Sequence, residues 1–465
     1  MTLPDPAPAR RRVVIVGGGF AGLHAARALR RAPVDITLLD RTNHHLFQPL
    51  LYQVATATLA PSDISAPIRW LLRNQRNATV LMGEVGRVDL DARTVHFDDG
   101  RDALGYDYLI VATGTRHSYF GHDEWEPMAP GLKSLVDALE IRRRFLLAFE
   151  RAEKTADPEE RRRWQTFVIV GGGPTGVELA GMLPTIARDA FRKDYRHIDT
   201  RDTRVILLEG GPRLLTAFPE RLSEHAARDL ETLNVDVRLG AVVTRIEPDA
   251  VYVGEERIPT HNVYWAAGNA ASPLVRAMGA PVDRAGRALV EPDLSLPGHP
   301  EVFVVGDAAA VTDERGRMVP GVAPAAIQQG RAAGENILRT IQRQPRRPFR
   351  YFNKGDLATI GRHKAVAKIG QVELSGTIAW VTWLFVHIMY LVGFRNRVSV
   401  LVQWAYAYFT YQRGVRLITT TRGEAGSHSA ALLAGSNEIG GIGSTARPPV
   451  SVGDDGGEGP RMPQD

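Results

Sequence analysis

The chain of 465 residues has no cysteine. That absence excludes a disulfide framework, a thiolate zinc site, a cysteine-held iron–sulfur cluster and any thiol-based redox step, so redox chemistry would have to come from a bound cofactor. The residues before the first apolar strand, 1–11, are proline-rich and then arginine-rich, without the apolar stretch of a secretory signal. A cytoplasmic place, or one on the inner membrane face, is the expectation. The net charge of +5 is small for the length, and the basic clusters at 10–12, 142–144, 161–163 and 343–350 lack the interleaved aromatics of a nucleic-acid groove. Solvated helix ends and loops explain such clusters, and an anionic membrane surface is the other partner that they fit.

What is present is an ordinary packed composition, 44% hydrophobic and 23% charged, in a length that suits roughly three domains. An internal repeat organises it. Residues 12–40 run from VVIV through Gly17, Gly19 and Gly22 into a helix and then to VDITLLD, ending at Asp40. The unit recurs at 167–209, with FVIV, then Gly171, Gly173 and Gly176, then RVILLE ending at Glu209. In such a unit the first glycine makes the turn, the second lets a pyrophosphate approach, the third packs helix on strand, and the acid binds a ribose hydroxyl. One match is weak; two in the right context, each with its acid, are strong. The second acid lies farther from its loop because of the polar insert RKDYRHIDTRDT, read as a longer helix plus loop.

Two further stretches repeat. YDYLIVATGT at 106–115 delivers Ala112, Thr113 and Gly114 from a strand end, and HNVYWAAGNA at 261–270 delivers Ala267 and Gly268; small residues there let a flat cofactor approach the backbone. Residues 131–153 read as an amphipathic helix and KTADPEERRR as a charged connector. Beyond 424 the Gly, Ser and Pro content predicts a disordered tail.

The strand VFVVGDAAA, ending in Gly306-Asp307, resembles the second FAD motif of the two-dinucleotide-binding flavoproteins, in which the Asp holds the ribityl chain. Within that superfamily the sequence resembles the type II NADH:quinone oxidoreductases over about 12–420. The resemblance is carried by NHHLFQPLLYQVATATLAPSDISAPIR (43–69), LKSLVDALEIRRRFLLAFERAE (132–153), GGGPTGVELAG (171–181), PGVAPAAIQQG (320–330) and YFNKGDLATIGRHKAVA (351–367). It implies an α/β fold of two dinucleotide-binding Rossmann domains plus a C-terminal membrane-associating helical region. The implied boundaries are a tail at 1–11, an FAD domain at 12–130 and 291–345, a linker helix at 131–165, an NADH domain at 166–290, a membrane and dimer region at 346–423, and a tail at 424–465.

It also implies site residues. Gly17, Gly19, Phe20, Ala21, Gly22, Asp40, Ala112, Thr113, Gly114, Gly306 and Asp307 would seat FAD, while Gly171, Gly173, Pro174, Thr175, Gly176 and Glu209 would seat NADH. An acid at 209 favours NADH over NADPH, although Arg213 nearby leaves NADPH open. The family's quinone motif, Ala-Gln-x-Ala-x-Gln, stands here as Ala323-Pro324-Ala-Ala-Ile-Gln328, so Pro324 replaces one glutamine and Gln328 becomes the candidate polar contact. The alternative is that Gln328 and Gln329 only cap and solvate a helix.

Glu178, after the last glycine of the second loop, is the candidate proton relay or nicotinamide-positioning group. It is expected in the first helical turn, facing the dinucleotide, where a purely structural role beside the helix dipole is also open. The apolar runs 378–394 and 398–411 are each shorter than the roughly 20 residues that span a bilayer. Flanked by Arg395, Arg397, Arg413 and Arg416, they suit helices lying in the interface, with a core or dimer helix as the competing reading. His387 in the first run is expected to be a satisfied core residue. The implied protein is a peripheral enzyme on the cytoplasmic face, a homodimer through its C-terminal region, passing electrons from NADH to a membrane quinone. A soluble reductase of a ferredoxin-like partner and a non-catalytic NADH sensor are its rivals.

Overall fold

Two parallel sheets, each built around a buried apolar strand, organise the computed structural model, which describes residues 10–391, 394–410 and 416–418. In the first strand, Arg11–Val16, every residue of Val13–Val16 is buried, and all five residues of Thr166–Val170 are buried in its counterpart. Strands covered on both faces read as continuous apolar runs rather than alternating ones, which is why both segments lack polar punctuation.

The first sheet has the order Ser295–Leu296, His299–Val304, Tyr108–Val111, Arg11–Val16, Val34–Asp40, Ala78–Met82, and only the Ser295–Leu296 pairing is antiparallel. Its strands therefore come from two separated parts of the chain. The second sheet, Val235–Leu239, Arg204–Glu209, Thr166–Val170, Asn262–Trp265, is parallel throughout and contiguous in sequence. Corresponding hydrogen bonds recur: Gly17 N–H donates to Leu39 O and Gly171 N–H to Leu208 O, both at 2.7 Å.

Between the sheets the chain forms helix Leu135–Lys154, started by a capping box in which Ser134 and Asp137 bond each other's backbone N–H. Phe145 and Phe149 of this helix pack on Phe167 and Phe191 with ring centroids 5.1–5.7 Å apart, so the helix is part of the second sheet's core. The expected charged connector is itself helical over Pro158–Trp164, because Asp157 caps the Glu159 N–H and proline occupies the first helical position. The second loop helix is lengthened, Pro174–Thr185 continuing through a wider turn, Ile186–Ala190, just after Pro184 removes a backbone donor, but the polar insert 192–203 is not helical, contrary to expectation: it is a chain of turns with one short 3-10 turn, Thr200–Asp202.

Beyond the first sheet, helix Ala323–Ile341 lies against the first loop helix, Phe20–Ala28. The approach is close: a Cβ at Gly330 would lie 2.1 Å from Ala21 O, and one at Gly334 would lie 3.0 Å from Ala25 O. The C-terminal region is a three-stranded antiparallel sheet, Asp356–Gly361, Lys364–Ile369 and Val372–Ser375, followed by helices Gly376–Tyr390 and Phe394–Thr410. Among the described residues, no helix is long and apolar enough to cross a membrane. The expected tail at 424–465, Arg413 and the side chain of Arg395 lie outside the described residues.

Candidate functional site

The two glycine loops have matching geometry. Gly17 (φ +104°) and Gly171 (φ +112°) hold turns that a side chain would strain, and a Cβ would strike Ala112 O at 2.4 Å in one and Ala266 C at 2.7 Å in the other. Gly22 and Gly176 would each place a Cβ 1.8 Å from the carbonyl oxygen of the first glycine of their loop. Gly19 and Gly173, by contrast, face open space, with nothing within 4 Å of a built Cβ. Turn, free approach and helix packing are thus each assigned to one glycine, and the open position is where a pyrophosphate fits at the helix N-terminus. Phe20 and Ala21 begin the first helix as Pro174 and Thr175 begin the second.

The acids sit behind the loops. Asp40 Oδ2 accepts from Gly18 N–H at 2.6 Å, and its Oδ1 accepts from the N–H and hydroxyl of Thr42, both at 2.7 Å. Glu209 accepts from Gly172 N–H and Gly211 N–H, each at 2.6 Å. Each carboxylate is oriented by the middle glycine of its own loop and keeps free lone pairs for a ribose. Arg213, which left a 2′-phosphate open from sequence, is committed elsewhere: its guanidinium donates to Phe218 O, Ser223 Oγ and Thr216 O at 2.8–2.9 Å.

The small-residue turns bring the two halves together. Gly114 (φ +66°) and Gly268 (φ +69°) let the chain reverse beyond Ala112–Thr113 and Ala267. The strands that follow, Thr115–His117 and Asn269–Ala271, then pair antiparallel. Thr113 Oγ1 is buried with no partner among the described residues, a polar atom suited to a cofactor in this cleft. Beside it Lys133 Nζ donates to Thr115 Oγ1 at 2.7 Å, and the Thr115 hydroxyl bonds the Asp307 carboxylate. Burial raises the pKa of Asp307 against the opposing pull of Lys133, and burial lowers that of Lys133 against the pull of Asp307. Gly306 (φ +72°) presents its N–H to Gln329 Oε1 at 2.7 Å.

Helix Ala323–Ile341 starts at Ala323, and Pro324 occupies its second position, where a missing N–H costs nothing. Gln329 is buried on the Gly306 turn and so is not a solvating residue. Gln328 is engaged too: its Nε2 donates to Phe352 O and Pro324 O at 3.0 and 3.1 Å, and its Oε1 accepts from Phe352 N–H at 3.0 Å. One lone pair of Oε1 remains for a ligand, in a cavity that Gln328 shares with Phe20.

Glu178 departs from its expected place. Helix Pro174–Thr185 has no acid in its first turn, and Glu178 stands in the second. It is 9% exposed, and it accepts a hydrogen bond from the Thr359 backbone of the C-terminal sheet. The reason is Gly181 three residues on: a Cβ there would sit 1.5 Å from Ile360 O, so only glycine lets this helix lie directly on strand Asp356–Gly361. Burial raises the Glu178 pKa well above 4.5, so the carboxyl favours its protonated form. The helix dipole does not account for it.

The family-specific stretches also acquire jobs. His45 Nδ1 bonds Gly18 O at 3.0 Å and packs edge-on against Phe20, backing the first loop; burial pushes its pKa down to about 4. Asp63 accepts from Ser399 Oγ and Gln403 Nε2, and Gln53 Oε1 accepts from Trp404 Nε1, at 2.7–2.9 Å. Residues 43–64 are therefore the seat of the last helix. His387 is a core residue, as expected: it bonds Trp383 O at 2.7 Å, stacks on Trp383, and has its pKa lowered to about 4 by burial. Arg397 bonds Leu391 O and Met389 O, closing the end of helix Gly376–Tyr390, whereas Arg416 pairs with Asp194 of the polar insert rather than flanking an apolar helix.

The missed participants are Gly18, Gly172, His45, Thr115, Lys133 and Thr359. His45 and Lys133 were visible as titratable residues inside family-specific stretches, but Thr359 could be linked to Glu178 only through tertiary packing.

Residues 11–330 match the family described as pyridine nucleotide-disulphide oxidoreductase, and residues 353–411 match the NDH2 C-terminal domain. The chain is 47% identical over 433 residues to the type II NADH:quinone oxidoreductase NdhA of Mycobacterium tuberculosis, covering 90% of this chain and 91% of that protein. It is 46% identical over 430 residues to Ndh of the same organism, covering 89% and 91%. In fold it is similar to NDH2 of Plasmodium falciparum solved with NADH, with a TM-score of 0.81 at 21% identity, over 88% of this chain and 100% of that one. It is also similar to the sulfide:quinone oxidoreductase of Aquifex aeolicus, with a TM-score of 0.66 at 20% identity, over 86% and 95%.

Proposed function

Because the chain belongs to the type II NADH:quinone oxidoreductases, we propose that its two glycine loops divide the work, the first keeping FAD and the second receiving NADH and releasing NAD+. It is a membrane-associated respiratory flavoenzyme that passes electrons from NADH through FAD to a quinone without pumping protons. The observation that carries the division is the meeting of the two repeats at Thr115–His117 and Asn269–Ala271. Bound FAD supplies the two-electron carrier between donor and acceptor.

The FAD residues are those of the first loop with Asp40, Ala112–Gly114, Gly306, Asp307 and Ala323. The NADH residues are those of the second loop with Glu209, Ala267 and Gly268. Asp307, aligned through Thr115 by Lys133, holds the ribityl chain. Glu209, with Arg213 turned away, selects NADH, as comparative kinetics with NADPH would check.

NADH yields two electrons and one proton as hydride, while reducing a quinone takes two electrons and two protons, so one proton must come from elsewhere. Glu178, buried and favouring its protonated form, is the group that holds it; a nicotinamide-positioning role is the alternative. Steady-state kinetics of Glu178→Gln distinguish the two. The relay reading expects the quinone rate to fall about 10²-fold, with its pH dependence altered and the rate with ferricyanide, which takes no proton, kept. Equal losses with both acceptors would favour positioning. Gln328 contacts the quinone through its remaining lone pair, the Pro324 replacement having removed the neighbouring amide.

Docking on the bilayer rests on exposed apolar stripes. Ile378, Val381, Phe385 and Met389 recur at helical spacing along one face and are 51–68% exposed, with Val398, Leu401 and Val402 exposed on the next helix. Such stripes suit the interface plane. The docked face would be the cytoplasmic one, tested by protease accessibility in oriented vesicles. The assembly would be a homodimer through the C-terminal region, where the edge strand Val372–Ser375 exposes Val372, tested by sedimentation in detergent.

A further inference from the structure

The cavity that Gln328 shares with Phe20 has a volume of about 450 Å³. A quinone carbonyl accepts hydrogen bonds and donates none, so the oxidised ring needs an N–H or O–H from the wall. Gln328 does not supply it: both N–H groups of its amide are given, to Pro324 O and Phe352 O, and its remaining lone pair suits only the hydroxyl of the quinol. Cations of the lining are engaged as well. Arg73 donates to Trp70 O, Lys354 to Tyr390 Oη, and Arg397 to Leu391 O and Met389 O, at 2.6–2.9 Å.

His24 lines the same cavity, between Phe20 and Arg27 on one face of the first loop helix at the i, i+4, i+7 spacing. Its Nδ1 is buried with no partner among the described residues, which leaves Nε2 as the ring nitrogen open to the cavity. A buried lone pair without a partner costs less than a buried N–H without one, so the proton belongs on Nε2. Burial, with the charges of Arg331, Arg27 and His45 around it, lowers the His24 pKa to about 3, and the ring is a neutral one with a single N–H to give. The repeat marks the same residue. His24 follows Gly22 by two positions as Glu178 follows Gly176, so each loop helix carries a titratable side chain at the same place. Glu178 is covered by the C-terminal sheet, whereas His24 is left facing the cavity.

Helix Ala323–Ile341 runs alongside in the same direction, as the contacts of Gly330 with Ala21 and of Gly334 with Ala25 require. Gln328 therefore lies level with the glycine loop, and His24 stands five residues past Gly19, ~7.5 Å along the axis. The carbonyls of a para-quinone stand on opposite edges of its ring, so a ring lying against Phe20 offers one oxygen to the Gln328 end and the other to His24. We propose that His24 donates its Nε2–H to the quinone carbonyl farther from the glycine loop, fixing the orientation of the ring and stabilising the charge that gathers on that oxygen as electrons arrive. The assignment rests on the reading of this cavity as the quinone's.

Steady-state kinetics of the full-length, FAD-loaded protein with NADH and a short-chain ubiquinone test it, with ferricyanide as the acceptor that has no carbonyl. His24→Leu is expected to lower kcat/KM for the quinone about tenfold, the usual worth of one hydrogen bond, with the KM for NADH and the ferricyanide rate kept. His24→Gln, which restores an N–H, should recover most of the loss. In infrared difference spectra the lower of the two carbonyl stretches of the bound quinone should rise in His24→Leu. FAD content and melting temperature of each variant report folding. An unmoved stretch, an equal loss with ferricyanide, a glutamine variant no better than leucine, or an equal loss in Arg27→Gln overturns the assignment. If Gln328→Leu slows the quinone reaction and His24→Leu does not, His24 alone is overturned. If neither variant changes it, the quinone lies elsewhere and the reading of the cavity falls with it.

Discussion

Glu178 shows what a single buried acid does to stability. Its pKa in the folded chain is raised above the ordinary 4.5, so the folded state binds this proton more tightly than the unfolded state does. Stability from this group is full below pH 4.5 and falls as pH rises toward the raised folded value. Glu178→Gln lacks that loss. Thermal melts should show the variant gaining on wild type from pH 5 to pH 8, with the two converging near pH 4; a constant difference across that range would contradict the assignment. The residue was legible as a candidate because it follows a glycine loop. Its partner was not, because the Thr359 backbone is brought to it only by the packing that Gly181 permits, and nothing in local spacing announces a contact across so many residues.

At the level of elements, the last described helix is held by polar contacts more than by its sequence suggests. Asp63 is 6% exposed and receives both Ser399 and Gln403. Asp63→Ala leaves these two donors facing a cavity and should cost about 2 kcal/mol. Hydrogen exchange should report it as faster exchange confined to 396–404, while the first sheet stays protected; uniform loss of protection would show that the contact matters to the whole fold. Strands, glycine loops and the two repeated turns were readable because each obeys a local rule: an apolar run, a positive φ, an acid at a strand end. In the charged connector, the run of arginines draws the eye from a proline start and an Asp cap that make 158–164 a helix of its own. The apolar runs at 378–411 were readable as helices, but their orientation was not, since both faces are apolar and only packing shows that Trp383 turns inward while Phe385 turns outward.

For the whole molecule, residues 43–64 join the last described helix to the first glycine loop, bonding Ser399, Gln403 and Trp404 at one end and, through His45, Gly18 at the other. Phe385→Asp is expected to lose vesicle flotation without lowering the melting temperature, because Phe385 is 65% exposed and leaves no cavity. A drop in melting temperature would instead place the residue in a packed contact. The sequence made the two-loop plan legible through its repeat, and the resemblance supplied the assignment of each dinucleotide. The placement of the loops was not available from either, because it depends on the short pairing at Thr115–His117 and Asn269–Ala271, which has no sequence signature of its own.

The divided first sheet also sets an order in time. A chain leaving the ribosome completes the strands Thr166–Val170 through Asn262–Trp265 as one continuous block, although the helix after its glycine loop packs on Asp356–Gly361, which is made later. The sheet around Arg11–Val16 has to wait, although it begins first, because its neighbour His299–Val304 is made afterwards. The strands behind the second glycine loop are therefore all made before the sheet behind the first is complete.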